Sequence, residues 1–314
     1  MKVLGLGTAA MDIVLQCESL PREDGFAFVR EERMLPGGSC ANVLVALAGL
    51  GHAAAMVAKI GDDNYGSRFR EDLLQCGVSA RYLFTKPGGT TLHTFITVGQ
   101  SGAHAIFAHL GDSLLNLTAA EMLPEMLDDV QVFYTDMFPG KPAISLARLC
   151  RAREIPIVFN LECAPSFMRA CHVAREELEE MLSLCDLFCT GREGLLELAA
   201  ADSHLEAARI INNRHRPSLG LVATLGDGGA NWWIDDEQMI AAAAFPVPAV
   251  DTTGAGDAFI GGLISGFFFD KMAHRQALEF ASACAAIKCT QPGPRLKASQ
   301  PEVMSFLQER SSIA

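Results

Sequence analysis

Short apolar runs recur along the chain, separated by longer segments in which apolar residues fall three and four apart. The runs are Lys2 to Gly7, Ala55 to Ile60, Val130 to Thr135, Pro156 to Asn160, Leu187 to Thr190 and Leu219 to Thr224. They are too short for helices, and the run of apolar side chains predicts strands buried on both faces. Between them, Leu44 to Leu50, Gly66 to Cys76, Ile144 to Arg153, Glu176 to Ser183 and Leu205 to Asn212 carry the spacing of amphipathic helices. Strand and helix in alternation predict a parallel sheet with helices on both faces, since each parallel crossover needs a helix-sized connection.

Two segments break this alternation. Asp12 to Pro36 and Arg81 to His109 are rich in Val, Ile, Phe and Thr. The second reads as a hairpin, Thr91 to Val98 and Ala103 to His109, about the turn Gly99-Gln100-Ser101-Gly102. Residues 12–36 and 81–109 are therefore expected to form a small separate β-sheet, a lid over one end of the main domain that excludes water from a site beneath. No internal repeat or long linker divides the chain, so 1–314 is read as one domain carrying this lid.

Composition narrows the function classes. The chain has 314 residues, 50% hydrophobic and 20% charged, enough for a substantial core. A formal charge of −12 argues against a nucleic-acid partner, because so acidic a surface repels phosphate backbones. Ten cysteines contain no CxxC pair, which favours free thiols in a reducing cytoplasm over zinc or disulfides. The opening residues lack a secretory apolar region, and His52 within Val43 to Ala58, with Asn42 and Lys59 bracketing it, leaves that stretch short of a membrane span. A cytoplasmic protein without a membrane partner is expected.

The candidate chemistry lies at glycine-rich junctions. Asp251-Thr252-Thr253-Gly254-Ala255-Gly256-Asp257 runs directly into an apolar stretch, Ala258 to Phe269. Small residues at a helix start leave backbone N–H groups uncovered for an anion, and Asp257 falls within reach of whatever those groups hold. Gly37-Gly38-Ser39-Cys40-Ala41-Asn42 opens another helix, where Asn42 offers a donor and an acceptor to a polyol. Asp12 follows the first strand, at the end of the sheet where such folds bind ligands. Thr224-Leu225-Gly226-Asp227-Gly228-Gly229 ends another strand, as a phosphate-binding turn or simply a reversal into Ala230 to Ile234. Gly5-Leu6-Gly7-Thr8-Ala9-Ala10 has dinucleotide-fingerprint spacing, but the β-leaning run after it argues against a nicotinamide site. The chain has no Walker GxxxxGK[ST], HExxH or GxSxG sequence.

Taken together and in this order, Gly37 to Asn42, Gly61 to Gly66, Thr224 to Gly229 and Asp251 to Asp257 resemble the ribokinase (PfkB) family of carbohydrate kinases across essentially the whole chain. The resemblance implies a ribokinase-like three-layer αβα sandwich with a central, mostly parallel sheet and a β-sheet lid. It implies an ATP-dependent kinase that uses Mg2+ to phosphorylate a primary hydroxyl of a sugar, or alternatively of a nucleoside. By the same similarity Asp257 is the catalytic base, and Asp12, Gly38, Asn42 and Asp136 hold the substrate. Gly254, Ala255 and Gly256 match the anion hole, and Thr224, Gly226 and Gly229 the nucleotide loop.

Asp251 and Thr253, with carbonyls of residues 288–293, fall in the region where family members bind a monovalent cation such as K+. Lys288 stands so near that its ammonium could replace the ion or point into solvent. The family's Asn-x-x-Glu turn is replaced here by Cys189-Thr190-Gly191-Arg192-Glu193-Gly194. Glu193 could supply the Mg2+ carboxylate from one position away, Arg192 could take over phosphate charge, or metal handling could be weaker. The last case leaves a sugar-sensing, non-catalytic homologue as the competing reading. A homodimer through the lid edges is a further expectation.

Overall fold

The continuous apolar runs become strands whose side chains have almost no contact with solvent. In the computed structural model, which describes residues 2–100, 103–235 and 237–311, the strands in chain order are β1 (Val3–Leu6), β2 (Ala10–Cys17), β3 (Val29–Gly37), β4 (Ala54–Gly61), β5 (Ser79–Lys86), β6 (His93–Val98), β7 (His104–His109), β8 (Val132–Thr135), β9 (Ile157–Leu161), β10 (Leu187–Gly191), β11 (Gly220–Thr224), β12 (Ala230–Trp233) and β13 (Met239–Ala242). All residues of β1, β4, β8 and β9 are buried. They sit in the middle of a nine-stranded sheet of order β13-β12-β11-β10-β9-β8-β1-β4-β5. Pairing is parallel from β11 to β5, and only β12 and β13 join in antiparallel fashion.

The helices are α1 (Ser39–Gly49), α2 (Asn64–Gln75), α3 (Gly140–Ala152), α4 (Pro165–Ala170), α5 (Arg175–Leu184), α6 (Arg192–Ala199), α7 (His204–His215), α8 (Ala255–Ile264), α9 (His274–Cys289) and α10 (Gln300–Ser311). Ser265–Phe269 extends α8 as a π-helical turn. The large sheet with its helices is the α/β layer expected from the sequence, and no helix among the described residues is long and apolar enough to cross a membrane. The parallel strands bring Leu6, Thr135, Leu161, Gly191 and Thr224 to one edge of the sheet, so the loops after them share one surface.

A second sheet, of order β3-β2-β6-β7, stands apart from the first. β2 follows β1 after only three residues, which places the lid directly over the carboxyl ends of the main strands. Its parallel β2–β6 pairing sets Asp12 beside Thr94. One boundary differs from expectation. Residues 81–86 belong to β5, which pairs with β4 at the edge of the main sheet, so the second lid excursion begins at His93. As an edge strand, β5 is buried on one face only, and its alternating pattern imitates a lid strand. Ser101 and Gly102 of the expected hairpin turn lie outside the described residues.

Candidate active site

Two helix N-termini meet beneath the lid. α1 and α8 approach closely because both are built of small residues at the contact: a Cβ on Gly261 would lie 2.7 Å from the Ala46 Cβ. α1 is entered through Gly38 at φ 89°, and α8 through Gly254 at φ 75°. Both conformations lie in the region L side chains rarely occupy. Space also demands glycine, since added Cβ atoms would stand 2.4 Å from the Thr8 carbonyl oxygen and 1.8 Å from that of Pro294.

Asp257, in the first turn of α8, is gripped from α1. Ser39 Oγ donates to its Oδ1 at 2.7 Å, and Asn42 Nδ2 donates to its Oδ2 at 2.8 Å. Burial pushes the Asp257 pKa above the ordinary carboxylate value, while these two donors and the Lys288 charge pull it back. The Ala255 N–H turns to the Thr252 carbonyl at 3.1 Å, and the Ala258 N–H to Gly254 at 2.9 Å. Gly256 and Asp257 remain as the first-turn N–H groups with no protein acceptor among the described residues. Of the residues matched to an anion hole, Ala255 therefore has its N–H already used, while that of Gly256 is free.

A cavity lies on each side of this turn. The first, of about 370 Å³, is lined by Asp12, Gly38, Asn42, Thr253, Gly254 and Asp257 below, and by apolar residues such as Leu92 and Ile106 above. None of its lining residues is Lys or Arg. Asp12 accepts from Thr94 Oγ1 at 2.6 Å, and burial raises its pKa, opposed by that bond and by the Arg295 charge. The second cavity, of about 460 Å³, is lined by Thr224, Gly226, Gly229, Gly256, Phe259 and Ala286, among others. The turn after β11 and the start of α8 both line it. That turn both reverses into β12 and lines the cavity, with Gly229 at φ 85°.

Asp136 is a correction. It has no accessible surface and does not line either cavity. Its carboxylate accepts from the N–H groups of Thr8 (3.0 Å), Cys40 (3.1 Å) and Phe138 (3.1 Å), so it braces the β1–β2 link and the first turn of α1. With both oxygens consumed by backbone, it has none left for a sugar.

Glu162 and Arg295 also stand beside these residues, and neither was a candidate from the sequence. Glu162 follows β9 and opens onto the smaller cavity, which Ser39 also lines. Partial removal from water and the nearby charges of Asp257 and Asp136 raise the Glu162 pKa, although the residue is exposed. Position alone marked it, as a carboxylate just past the end of a parallel strand, the rule that selected Asp12. Arg295 is buried, pairs with Asp72 and donates from Nε to Asn42 Oδ1 at 3.3 Å. It thereby orients the amide that holds Asp257.

The cation candidates divide. Glu193 lies exposed in the first turn of α6, and Gly191, two residues before it, pairs with Thr224 of the larger cavity. No three His, Cys, Asp or Glu side chains among the described residues converge as a metal cage. Mg2+ carried on phosphates needs only one or two protein carboxylates, and Glu193 is a carboxylate two residues beyond the Gly191–Thr224 pairing. Asp251 is differently placed. Its Oδ1 accepts from the Thr253 N–H and its Oδ2 from the Gly293 N–H, both at 2.9 Å, and its carbonyl accepts from Lys288 Nζ at 2.6 Å.

The arrangement, a carboxylate at a helix N-terminus between two cavities under a β lid, is matched along the chain by a profile of the pfkB family carbohydrate kinases over residues 2–301. The chain belongs to that family. An ATP-dependent ribose-1-phosphate kinase of Halopiger xanaduensis is 30% identical over 315 residues, covering 99% of each protein. Fructokinase-1 of Oryza sativa subsp. japonica is 30% identical over 313 residues, covering 93% of this chain and 92% of its own. The structure of Arabidopsis thaliana ribokinase complexed with ribose and ATP superposes with a TM-score of 0.82 at 21% identity, covering 98% of both chains, and shows that the fold is ribokinase-like. As a PfkB carbohydrate kinase, the protein is a phosphotransferase acting on a sugar hydroxyl.

Proposed function

We propose that this PfkB kinase transfers the γ-phosphoryl group of Mg-ATP to a primary hydroxyl of an uncharged carbohydrate, either a free sugar or the sugar end of a nucleoside. The observation that carries the reading is Asp257, held by Ser39 and Asn42 on the turn that separates the two cavities. An acceptor in the smaller cavity presents its hydroxyl to Asp257 from one side, and a nucleotide in the larger cavity presents its phosphates from the other. In-line transfer requires that geometry.

Asp257 accepts the hydroxyl proton as the new P–O bond forms and the bond to the leaving diphosphate breaks. Asp257 is suited to be the ionised member, because Ser39 and Asn42 each donate a hydrogen bond to its carboxylate. The free N–H groups of Gly256 and Asp257, aided by the α8 dipole, stabilise charge on the transferring group. Asp12, Gly38 and Asn42 bind and orient the acceptor. Glu193 is the residue that would hold Mg2+, which when bound neutralises charge on the phosphate oxygens.

The absence of Lys and Arg from the acceptor cavity lining favours an unphosphorylated acceptor, since no side chain there neutralises a phosphate. Its apolar upper wall suits the hydrophobic face of a sugar ring or a base. Exposed Phe26, Phe28 and Phe107 on and beside the lid support pairing with a second copy through this sheet. Acceptor-dependent ADP release from Mg-ATP tests the reading, with sugar phosphates expected to be poorer acceptors than their unphosphorylated counterparts. Release with a sugar phosphate alone would overturn the uncharged-acceptor assignment.

A further inference from the structure

The loop that leads into the anion hole is fastened from below by one side chain. Lys288, in the last turn of α9, has no accessible surface. Its Nζ donates to the carbonyl oxygen of Asp251 at 2.6 Å and reaches that of Gln291 at 3.3 Å. The same loop is tied to the end of α9 by Val250 N–H to Cys289 O (2.8 Å) and by Asp251 Oδ2 from Gly293 N–H (2.9 Å). Backbone carbonyls converging on one point, here those of Asp251 and Gln291, are what a dehydrated monovalent cation would use. Here that point is taken by a covalently attached cation, so the residues do not fit a bound K+.

We propose that the Lys288 ammonium is a built-in replacement for a monovalent cation: it fixes residues 251–254 beneath the α8 N-terminus, positions the anion hole, and makes the kinase independent of K+. Lys288 is a positioning residue. Its positive charge also reaches the base, lowering the Asp257 pKa, and the charges of Asp251, Cys289 and Asp257 in turn oppose the effect of burial on Lys288. A covalently held cation needs no capture from solution, so the loop is ordered at any salt composition.

This inference rests on the kinase reading, and the experiment separates the two. ADP release and the thermal unfolding midpoint are measured for the wild-type protein and for Lys288→Ala in potassium, sodium and choline chloride at equal ionic strength. The wild type is expected to give the same turnover and midpoint in all three salts. Lys288→Ala in choline should lose about ten- to a hundredfold in turnover, the effect of removing a charge-assisted hydrogen bond from a buried carbonyl, and should regain turnover and midpoint in potassium as the ion enters the vacated space. Lys288→Met, which fills that space without a charge, should lose turnover in every salt with no rescue.

Severalfold activation of the wild type by potassium over choline would overturn the inference, as would a Lys288→Ala protein indistinguishable from wild type in choline. If Lys288→Ala does not fold, the wild-type salt comparison still decides. Absence of ADP release in every salt would instead count against the kinase reading, while the wild-type midpoints would still test the site.

Discussion

Replacing Gly254 by alanine places a methyl group 1.8 Å from the Pro294 carbonyl oxygen, against an ordinary contact of 3.4 Å or more. Either α8 or the Pro294 segment must therefore move by the difference, 3.4 − 1.8 = 1.6 Å. Neither yields cheaply, because the obstacle is backbone and the segment is held through Gly293 and Lys288. The φ of 75° adds about 1–2 kcal/mol of strain for a residue with a Cβ. Misplacing a reacting group by 1 Å costs about 10²-fold in rate, so kcat in Gly254→Ala should fall by at least about 10²-fold. Acceptor affinity, which the proposed function assigns to Asp12 and Asn42 on other elements, should change only a fewfold. Steady-state ADP release gives kcat, calorimetric titration gives acceptor affinity, and the unfolding midpoint should drop by several degrees. A variant that keeps kcat within about tenfold of wild type would refute the claim that this turn is rigid and forms the anion hole.

Two further variants probe the acceptor side. Only ionised Asp257 accepts a proton, so kcat/KM should rise with pH along an acid limb lying above the ordinary value of 3.8. Ser39→Ala removes a donor to the charged form, which raises the Asp257 pKa and should move that limb to higher pH; a limb that stays put or moves down would count against Asp257 as the titrating base. Asp12→Ala should raise the acceptor KM by about 10- to 100-fold with kcat little changed, as expected for loss of hydrogen bonds to a charged group made equally in ground and transition states. A fall in kcat with normal KM would instead place Asp12 in the chemistry.

The parts of this protein that were legible in advance are those where local pattern and three-dimensional role coincide. Central strands buried on both faces leave continuous apolar runs, and helix starts that must lie near a ligand leave glycine clusters such as Gly37–Gly38 and Gly254–Gly256. The β5 edge strand reads like a lid strand because half-burial gives either kind of strand the same alternation. Asp136 stood where a ligand-facing acid belongs, yet the folded chain brings three backbone N–H groups around it, a long-range convergence no local pattern encodes. Glu162 obeyed the same positional rule and was overlooked because no glycine cluster drew attention to it. For Lys288 the sequence leaves open an ammonium in place of an ion or one pointing into solvent, and only the packing of α9 against the 251–254 loop removes the second.

The central claim is that Asp257 is the base of a phosphoryl transfer to a neutral sugar hydroxyl. ADP release from Mg-ATP across pentoses, hexoses, nucleosides, sugar acids and sugar phosphates, for wild type and Asp257→Asn side by side, tests it most directly. The account predicts acceptor-dependent release with an unphosphorylated sugar or nucleoside, reduced by about 10²–10⁴-fold in the variant while acceptor affinity is retained. Near-normal release by Asp257→Asn would contradict the assignment, and silence of the wild type across the panel together with thermal stabilisation by one sugar would point to a sensor on a kinase scaffold.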